Sequence, residues 1–389
     1  MINFMLMRTE STLQKSRYQL LAAFSLVAAL LALTAIAGCE PKAQVHQWSG
    51  QTMGTFYRIT LLPSSGPQPS YQTAELRAQV DGLLRDINRS MSTYQADSEI
   101  SIFNSLKSES CVLIGEDFLT VLSEALAIAG ASKGAFNPLV APLVNRWGFG
   151  PIKQVSRLPT RAEVESLLEL THLDNISLDD TSGQLCKRNN RAQLDLSAIA
   201  KGYAVDRIAS LFTEQGYSNY LIDVGGELKV SGLNPEGHLW RLAIEQPITQ
   251  AAATLGIHEV VHVTDHAIAT SGDYRNFFEH EAQHYSHTIN PLTGYPAQHN
   301  LVSVTVIAKH AATADAWATA LLAAGPEQAR YLAVQHELAV YLIERDNRTH
   351  HNEFSGSDLD PLSDRARNND VHDDFSAWHS RGFASFLTQ

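Results

Sequence analysis

From Asn219 to Arg345 the chain reads as strand after strand: "NYLIDVGGELKVSG", "LWRLAIEQ", "HEVVHVTDHAIATSG", "HYSHTINP", "LVSVTVIAK" and "LAVYLIER". Only two helical stretches interrupt the series, "TADAWATALLAAG" and "PEQARYLAVQH". Strands that follow one another through short glycine- or proline-bearing turns pair antiparallel, because parallel neighbours need a long crossover. The first half is different. A strand, "GTFYRITLL", and a linker-like stretch, "LLPSSGPQPSYQT", lead to a helix from Ala74 to Met91, and apolar spacing predicts a second over Asp117–Ala131. A short helical turn lies in "GAFNPLVAPLVNRWGFGP" (Gly134–Pro151), then comes a helix in "RAEVESLLELT" and a turn entering a buried helix in "LDLSAIAKGYAVDRIA" (Leu194–Ala209). The class is α+β, a largely antiparallel sheet flanked by helices, with no repeat of fixed period.

The N-terminus stands apart. "QKSRYQLLAAFSLVAALLALTAIAGCE" joins a basic patch to an apolar run and ends in small residues before Cys39, the pattern of a secretory signal. Ile36-Ala37-Gly38-Cys39 resembles a bacterial lipobox. Residues 1–38 are therefore expected to be a lipoprotein signal peptide, Cys39 the lipidated residue, and 39–47 a tether. The domain follows over 48–346, and 347–389 reads as an acidic, disordered tail whose last stretch, "FSAWHSRGFASFL", is amphipathic enough to dock. The location expected is the cell envelope, lipid-anchored and facing the periplasm; Glu40 after the cysteine, by resemblance to Gram-negative sorting, favours the outer membrane. Such a compartment permits Cys111 and Cys186 to pair, and nothing in the sequence decides whether they do.

The 389 residues carry a formal net charge of −12 with 29 Lys and Arg, and no basic run follows the signal, which argues against nucleic acid as partner. An anionic ligand would need a local cation. Lys201, directly before a glycine at a helix start, is one: the helix dipole disfavours it there unless it points to solvent or holds an anion. Asp315 and Thr319 stand four apart on one helical face, a carboxylate and a hydroxyl of the kind Mg²⁺ takes. Taken alone they read as a helix charge and a hydroxyl bonded to its own backbone. Ser271, Asp273, Tyr274, Arg275, His287, Thr288 and Asn290 crowd polar groups around a turn, "NPLTGYP". His287 just before it suits a general base, or a histidine merely bonded at a sheet end.

In order along the chain, "MGTFYRI", "STYQADSEISIFN", "GAFNPLVAPLVNRWGFG", "LDLSAIAKGYAVDRIA", "YLIDVGGEL", "IATSGDYRNFF", "SHTINPLTGYP" and "ADAWATALL" resemble the ApbE-type flavin transferases, from about Trp48 to Arg345. The resemblance implies a T-fold-related core with a flavin site in the cleft between its halves. It implies an enzyme that binds FAD, uses Mg²⁺, and transfers FMN to a threonine hydroxyl of an acceptor flavoprotein, such as a subunit of a membrane redox complex, releasing AMP. By the same resemblance Asp315, Thr319 and the Ala198 carbonyl hold the metal. Met53, Tyr94, Ala135, Phe136, Asn137, Asp195, Lys201 and Thr288 contact the flavin nucleotide. His287 is the base and Lys201 assists. Two positions depart from it: many members have aspartate where Asn137 and Asn290 stand. An FAD pyrophosphatase using water, or a flavin-binding lipoprotein without activity, remain the alternative readings.

Overall fold

The computed structural model describes residues 45–63, 70–107, 110–151, 157–247, 256–273, 277–280, 283–346 and 375–387. The expected signal peptide, Cys39, most of the tether, Tyr274, Arg275 and the stretch 347–374 lie outside the described residues.

The helices are α1 (Ser70–Met91), α2 (Glu99–Ser105), α3 (Glu116–Ala131), α4 (Ala141–Arg146), α5 (Arg161–Leu168), α6 (Ser197–Glu214), α7 (Ala311–Ala324) and α8 (Pro326–Gln335). The main sheet has eight strands, each antiparallel to its neighbours. Five of them are β1 (His46–Thr52), β2 (Thr55–Leu62), β6 (Asn219–Val224), β7 (Glu227–Ser231) and β10 (His266–Gly272); β13 (Leu301–Ala308), β14 (Ala339–Arg345) and β15 (Phe375–His379) complete the order. Smaller units are the three-stranded β3 (Cys111–Leu113), β4 (Ile176–Asp179), β5 (Gln184–Lys187) and the hairpins β8 (Trp240–Glu245) with β9 (Ile257–Val263) and β11 (Phe277–His280) with β12 (Gln283–Ser286).

The period of two along each strand divides the sheet's side chains between two cores. Ile59, Ile222, Val304 and Leu342 join the core that holds the helices, whereas Val230, Ile268, Ile307 and Ile343 join Trp240, Leu242, Val261 and Val263 of the β8–β9 hairpin. α7 is buried almost all round, as its run of alanines allows, and so lies inside the helical layer. Its first turn is fixed from α6: Asp206 Oδ2 accepts from the Ala312 amide at 3.0 Å, while Asp206 Oδ1 pairs with Lys229 Nζ at 2.7 Å.

Three expectations change. The stretch read as one strand at His258–Gly272 is two, broken at Asp265 in a left-handed conformation (φ 52°), with β9 in the hairpin and β10 in the main sheet. The tail is not disordered at its end: Phe375–His379 pairs with β14, and the 3₁₀ turn Phe383–Phe386 buries Phe383 completely in the second core. The domain boundary at 346 is thereby corrected, because the docking patch supplies a sheet edge with its eighth strand. Cys111 and Cys186, opposite each other on β3 and β5, form a disulfide.

Candidate active site

A cleft of about 1560 Å³ gathers residues from distant parts of the chain. Met53 enters from the β1–β2 hairpin and Tyr94, 65% exposed, stands at the rim after α1. Ala135, Phe136 and Asn137 precede α4; Asp195, Ala198 and Lys201 belong to the entry and first turns of α6. His287 and Thr288 follow β12, and Asp315 and Thr319 come from α7. Every residue to which the family resemblance gives a metal, flavin or catalytic role therefore lines one cavity. Asp273 and Asn290, also noted there, are not among its lining residues.

The helix pair α6–α7 makes the centre. Gly202 allows it: a Cβ there would lie 2.2 Å from the Ala311 carbonyl oxygen and 2.7 Å from Ala312 Cα. That close approach puts Asp315, only 3% exposed, against the first turns of α6, where its Oδ2 accepts from the Gly202 amide at 3.1 Å. Thr319 Oγ1 lies 3.2 Å from Ser271 Oγ on β10. Either hydroxyl can donate in this pair; when Thr319 does, its oxygen keeps its lone pairs for a cation. A carboxylate, a hydroxyl and the backbone carbonyl of Ala198, all lining the cleft, make an all-oxygen donor set that fits Mg²⁺. It is not a cluster of three His, Cys, Asp or Glu side chains, and none of those occurs among the described residues.

Lys201 answers the question its position raised. Its Nζ stands 3.2 Å from Glu227 Oε1 and 3.6 Å from Asp315 Oδ2. Burial alone would pull its pKa down, but the charges of Asp315 and then Glu227 outweigh it and hold the ammonium above its ordinary value. Glu227 shifts upward, chiefly by burial, with Asp315 adding and Lys201 opposing. Glu227 was present in the "YLIDVGGEL" segment without a role; a buried carboxylate beside a strand-turn glycine pair was its signal. The amide of Asn104 on α2 was also missed. It grips both backbone groups of Leu194, donating to its carbonyl at 2.8 Å and accepting from its N–H at 2.7 Å, which fixes the entry to α6 one residue before Asp195. Asp195 in turn accepts from the Ser197 amide at 2.8 Å, at the turn that enters the helix.

Met53 occupies a strained place. With Gly54 it makes a two-residue hairpin turn, both at positive φ (50° and 71°), between the paired Thr52 and Thr55. That geometry favours asparagine or glycine at the first position, so a methionine held there signals a side chain retained for what it touches. On the other side, Trp147 stacks on Tyr285 (centroids 5.8 Å apart) and donates to the Gly294 carbonyl at 2.8 Å, joining the end of α4 to the turn after His287. The His287 ring meets Phe149 edge-on, with centroids 6.4 Å apart.

Comparison with known proteins gives the arrangement its relatives. The "FAD:protein FMN transferase" of Vibrio cholerae is 39% identical over 315 residues, covering 81% of this chain and 92% of that protein. The protein of the same name from Escherichia coli K12 is 36% identical over 374 residues, covering 94% and 97%. Among solved structures, the flavin transferase ApbE of Vibrio cholerae superposes with a TM-score of 0.74 at 35% identity, over 89% of this chain and all of that one. The Pseudomonas stutzeri flavinyl transferase ApbE, apo form, gives 0.74 at 31%, over 89% and 97%. The family model described as the ApbE family matches residues 53–342, from the strained methionine of the first hairpin to the strand before the tail, and the chain belongs to that family.

Proposed function

We propose that this protein is an enzyme that transfers the FMN half of FAD to a threonine hydroxyl of an acceptor protein, releasing AMP. The observation that carries the reading is the convergence, in one cleft, of an all-oxygen donor set, a protonated lysine and a histidine. At about 1560 Å³ the cleft exceeds the ~300–1,000 Å³ usual for small-molecule pockets, which leaves room for a dinucleotide and an acceptor loop together. Asp315, Thr319 and the Ala198 carbonyl would hold Mg²⁺, which supplies neutralisation of pyrophosphate charge. Lys201 adds a second positive charge that stays in place through the reaction. Met53, Tyr94, the Ala135–Asn137 segment, Asp195 and Thr288 hold and orient the flavin nucleotide.

The threonine oxygen forms a bond to the flavin-side phosphorus as the bond from that phosphorus to the bridging oxygen breaks. The bridging oxygen leaves with AMP, and the threonine proton passes to His287. The test incubates the protein lacking its signal with FAD, Mg²⁺ and a threonine-bearing acceptor protein. Flavin fixed covalently to the acceptor in step with AMP release is the expected result; AMP with free FMN, acceptor present or not, would replace transfer by hydrolysis. His287→Ala should lower transfer by roughly 10²–10⁴-fold with FAD affinity kept, the range for loss of a general base. Equal losses of both would make it a binding residue. Asp315→Ala should abolish the Mg²⁺ dependence. The location proposed is the periplasmic face of the cell envelope through lipid on Cys39. Retention of a cleaved Cys39→Ser protein in the membrane fraction would refute it.

A further inference from the structure

The β6–β7 hairpin does more than close the sheet. Its turn carries Gly225, where a Cβ would lie 3.4 Å from Lys201 Cδ, so the lysine stem runs across the bare backbone of this turn. Two residues on, Glu227 presents Oε1 to Lys201 Nζ at 3.2 Å, within hydrogen-bond reach. Asp315 Oδ2 is at 3.6 Å, beyond it. Glu227 is 5% exposed, lines the cleft, and its Oε2 is buried without a hydrogen-bond partner. Lys201 is thus anchored on the hairpin and only leans toward the helix that bears the metal-site carboxylate.

This spacing matters because an ammonium and a divalent cation compete for the same carboxylate. Lys201 and Asp315 already form an ion pair at 3.6 Å, without a hydrogen bond; a lysine free to close further would make a hydrogen-bonded pair there, neutralising more fully the one acidic side chain among the three proposed metal donors and adding repulsion against an incoming dication. We propose that Glu227 is a positioning residue that holds Lys201 off Asp315, so that the lysine and the metal ion occupy the cleft together. The inference rests on the proposed metal site but not on the identity of the phosphoryl acceptor. It gives Glu227 a role through Lys201, with no metal coordination of its own.

The test is direct metal binding without FAD: titration of the full soluble domain with Mn²⁺, read by the electron paramagnetic resonance of the free ion. Variants are Glu227→Gln, Lys201→Met and the double variant, with thermal unfolding run on each. Glu227→Gln should weaken Mn²⁺ binding on the order of tenfold, about 1.4 kcal/mol. Adding Lys201→Met should restore it to the value of the Lys201→Met single variant, since no lysine remains to compete. A Glu227→Gln protein that binds Mn²⁺ as tightly as wild type overturns the proposal. So does a double variant as weak as Glu227→Gln, which would make Glu227 a ligand or a structural support. Absence of Mn²⁺ binding to the wild type would remove the metal site and this role together. Failure of FMN transfer alone, with the metal pattern as stated, would overturn only the proposed reaction.

Discussion

Gly202→Ala tests whether the site depends on the α6–α7 approach. The added Cβ would meet the Ala311 carbonyl oxygen at 2.2 Å, its carbon at 2.5 Å and Ala312 Cα at 2.7 Å, all backbone atoms of the first turn of α7. Ordinary contact begins near 3.4 Å, so the helices must part by about 3.4 − 2.2 = 1.2 Å. Alanine improves helix propensity by about 1 kcal/mol over glycine. Overpacking against rigid neighbours costs about 1–3 kcal/mol, and here no flexible side chain can yield. The expected balance is a net loss of up to about 2 kcal/mol, seen as a lower thermal midpoint. The functional effect should be larger, because the Gly202 amide holds Asp315 Oδ2. A shift of ~1 Å in a positioned group can cost ~10²-fold in rate. Thermal unfolding and Mg²⁺-dependent AMP release from FAD measure the two effects separately. Unchanged stability with unchanged AMP release would refute the claim that this contact registers the metal-site helix.

Met53→Asn should raise stability by less than about 1 kcal/mol, since asparagine tolerates positive φ better, while FAD binding weakens for want of the thioether. A denaturant midpoint and a flavin fluorescence titration read the two, and tighter FAD binding would contradict a ligand-facing role. Lys187, 1% exposed, lies against the Phe103 ring and donates to the Asn104 and Leu106 carbonyls at 3.0 and 3.3 Å. Burial pushes its pKa down from 10.5 to about 8. Across that window the unfolded chain keeps a proton the folded one has lost, so stability relative to Lys187→Met should rise from pH 8 to 10.5. A constant difference would mean the lysine stays charged in the fold.

Long apolar segments were legible because each fills a buried element of matching length: α7, β13 and β14 are buried at nearly every position, and α8 opens on Pro326 directly after Gly325. Short elements were not. β3, β4 and β5 have three or four residues each, too few to show alternation, and owe their existence to one another and to the Cys111–Cys186 link. β1 was hidden for another reason. Its hairpin turns on Met53-Gly54, and methionine gives no turn signal, so no strand was read before it, and His46 and Gln47 fell in the expected tether. That the candidate site residues belong together was legible through ordered motifs, and they do line one cleft; their geometry was not legible. Nothing in "YLIDVGGEL" or "STYQADSEISIFN" tells that Glu227 meets Lys201, or that Asn104 grips Leu194 ninety residues away, because those contacts are made by the tertiary fold.

The two asparagines that depart from the family resemblance take on a physical meaning in this setting. Asn290 Nδ2 donates to the Ala323 carbonyl at 2.9 Å, while its Oδ1 accepts from the amides of Leu292 at 2.9 Å and Thr293 at 3.3 Å. Asn137 does the same on the other side of the cleft: Nδ2 to the Thr171 carbonyl at 2.9 Å, Oδ1 from the Leu139 amide at 2.8 Å. An ionised aspartate would keep the accepting half of each pattern and lose the donating half, setting a negative oxygen against a carbonyl. Each amide therefore serves as a brace that needs both of its ends. Asn290 matters more for the chemistry, since it ties the turn after His287 and Thr288 to the last turn of α7, the helix of Asp315 and Thr319. The candidate base and the candidate metal donors come from segments separated by a strand and a loop, and the Asn290 amide bridges the two.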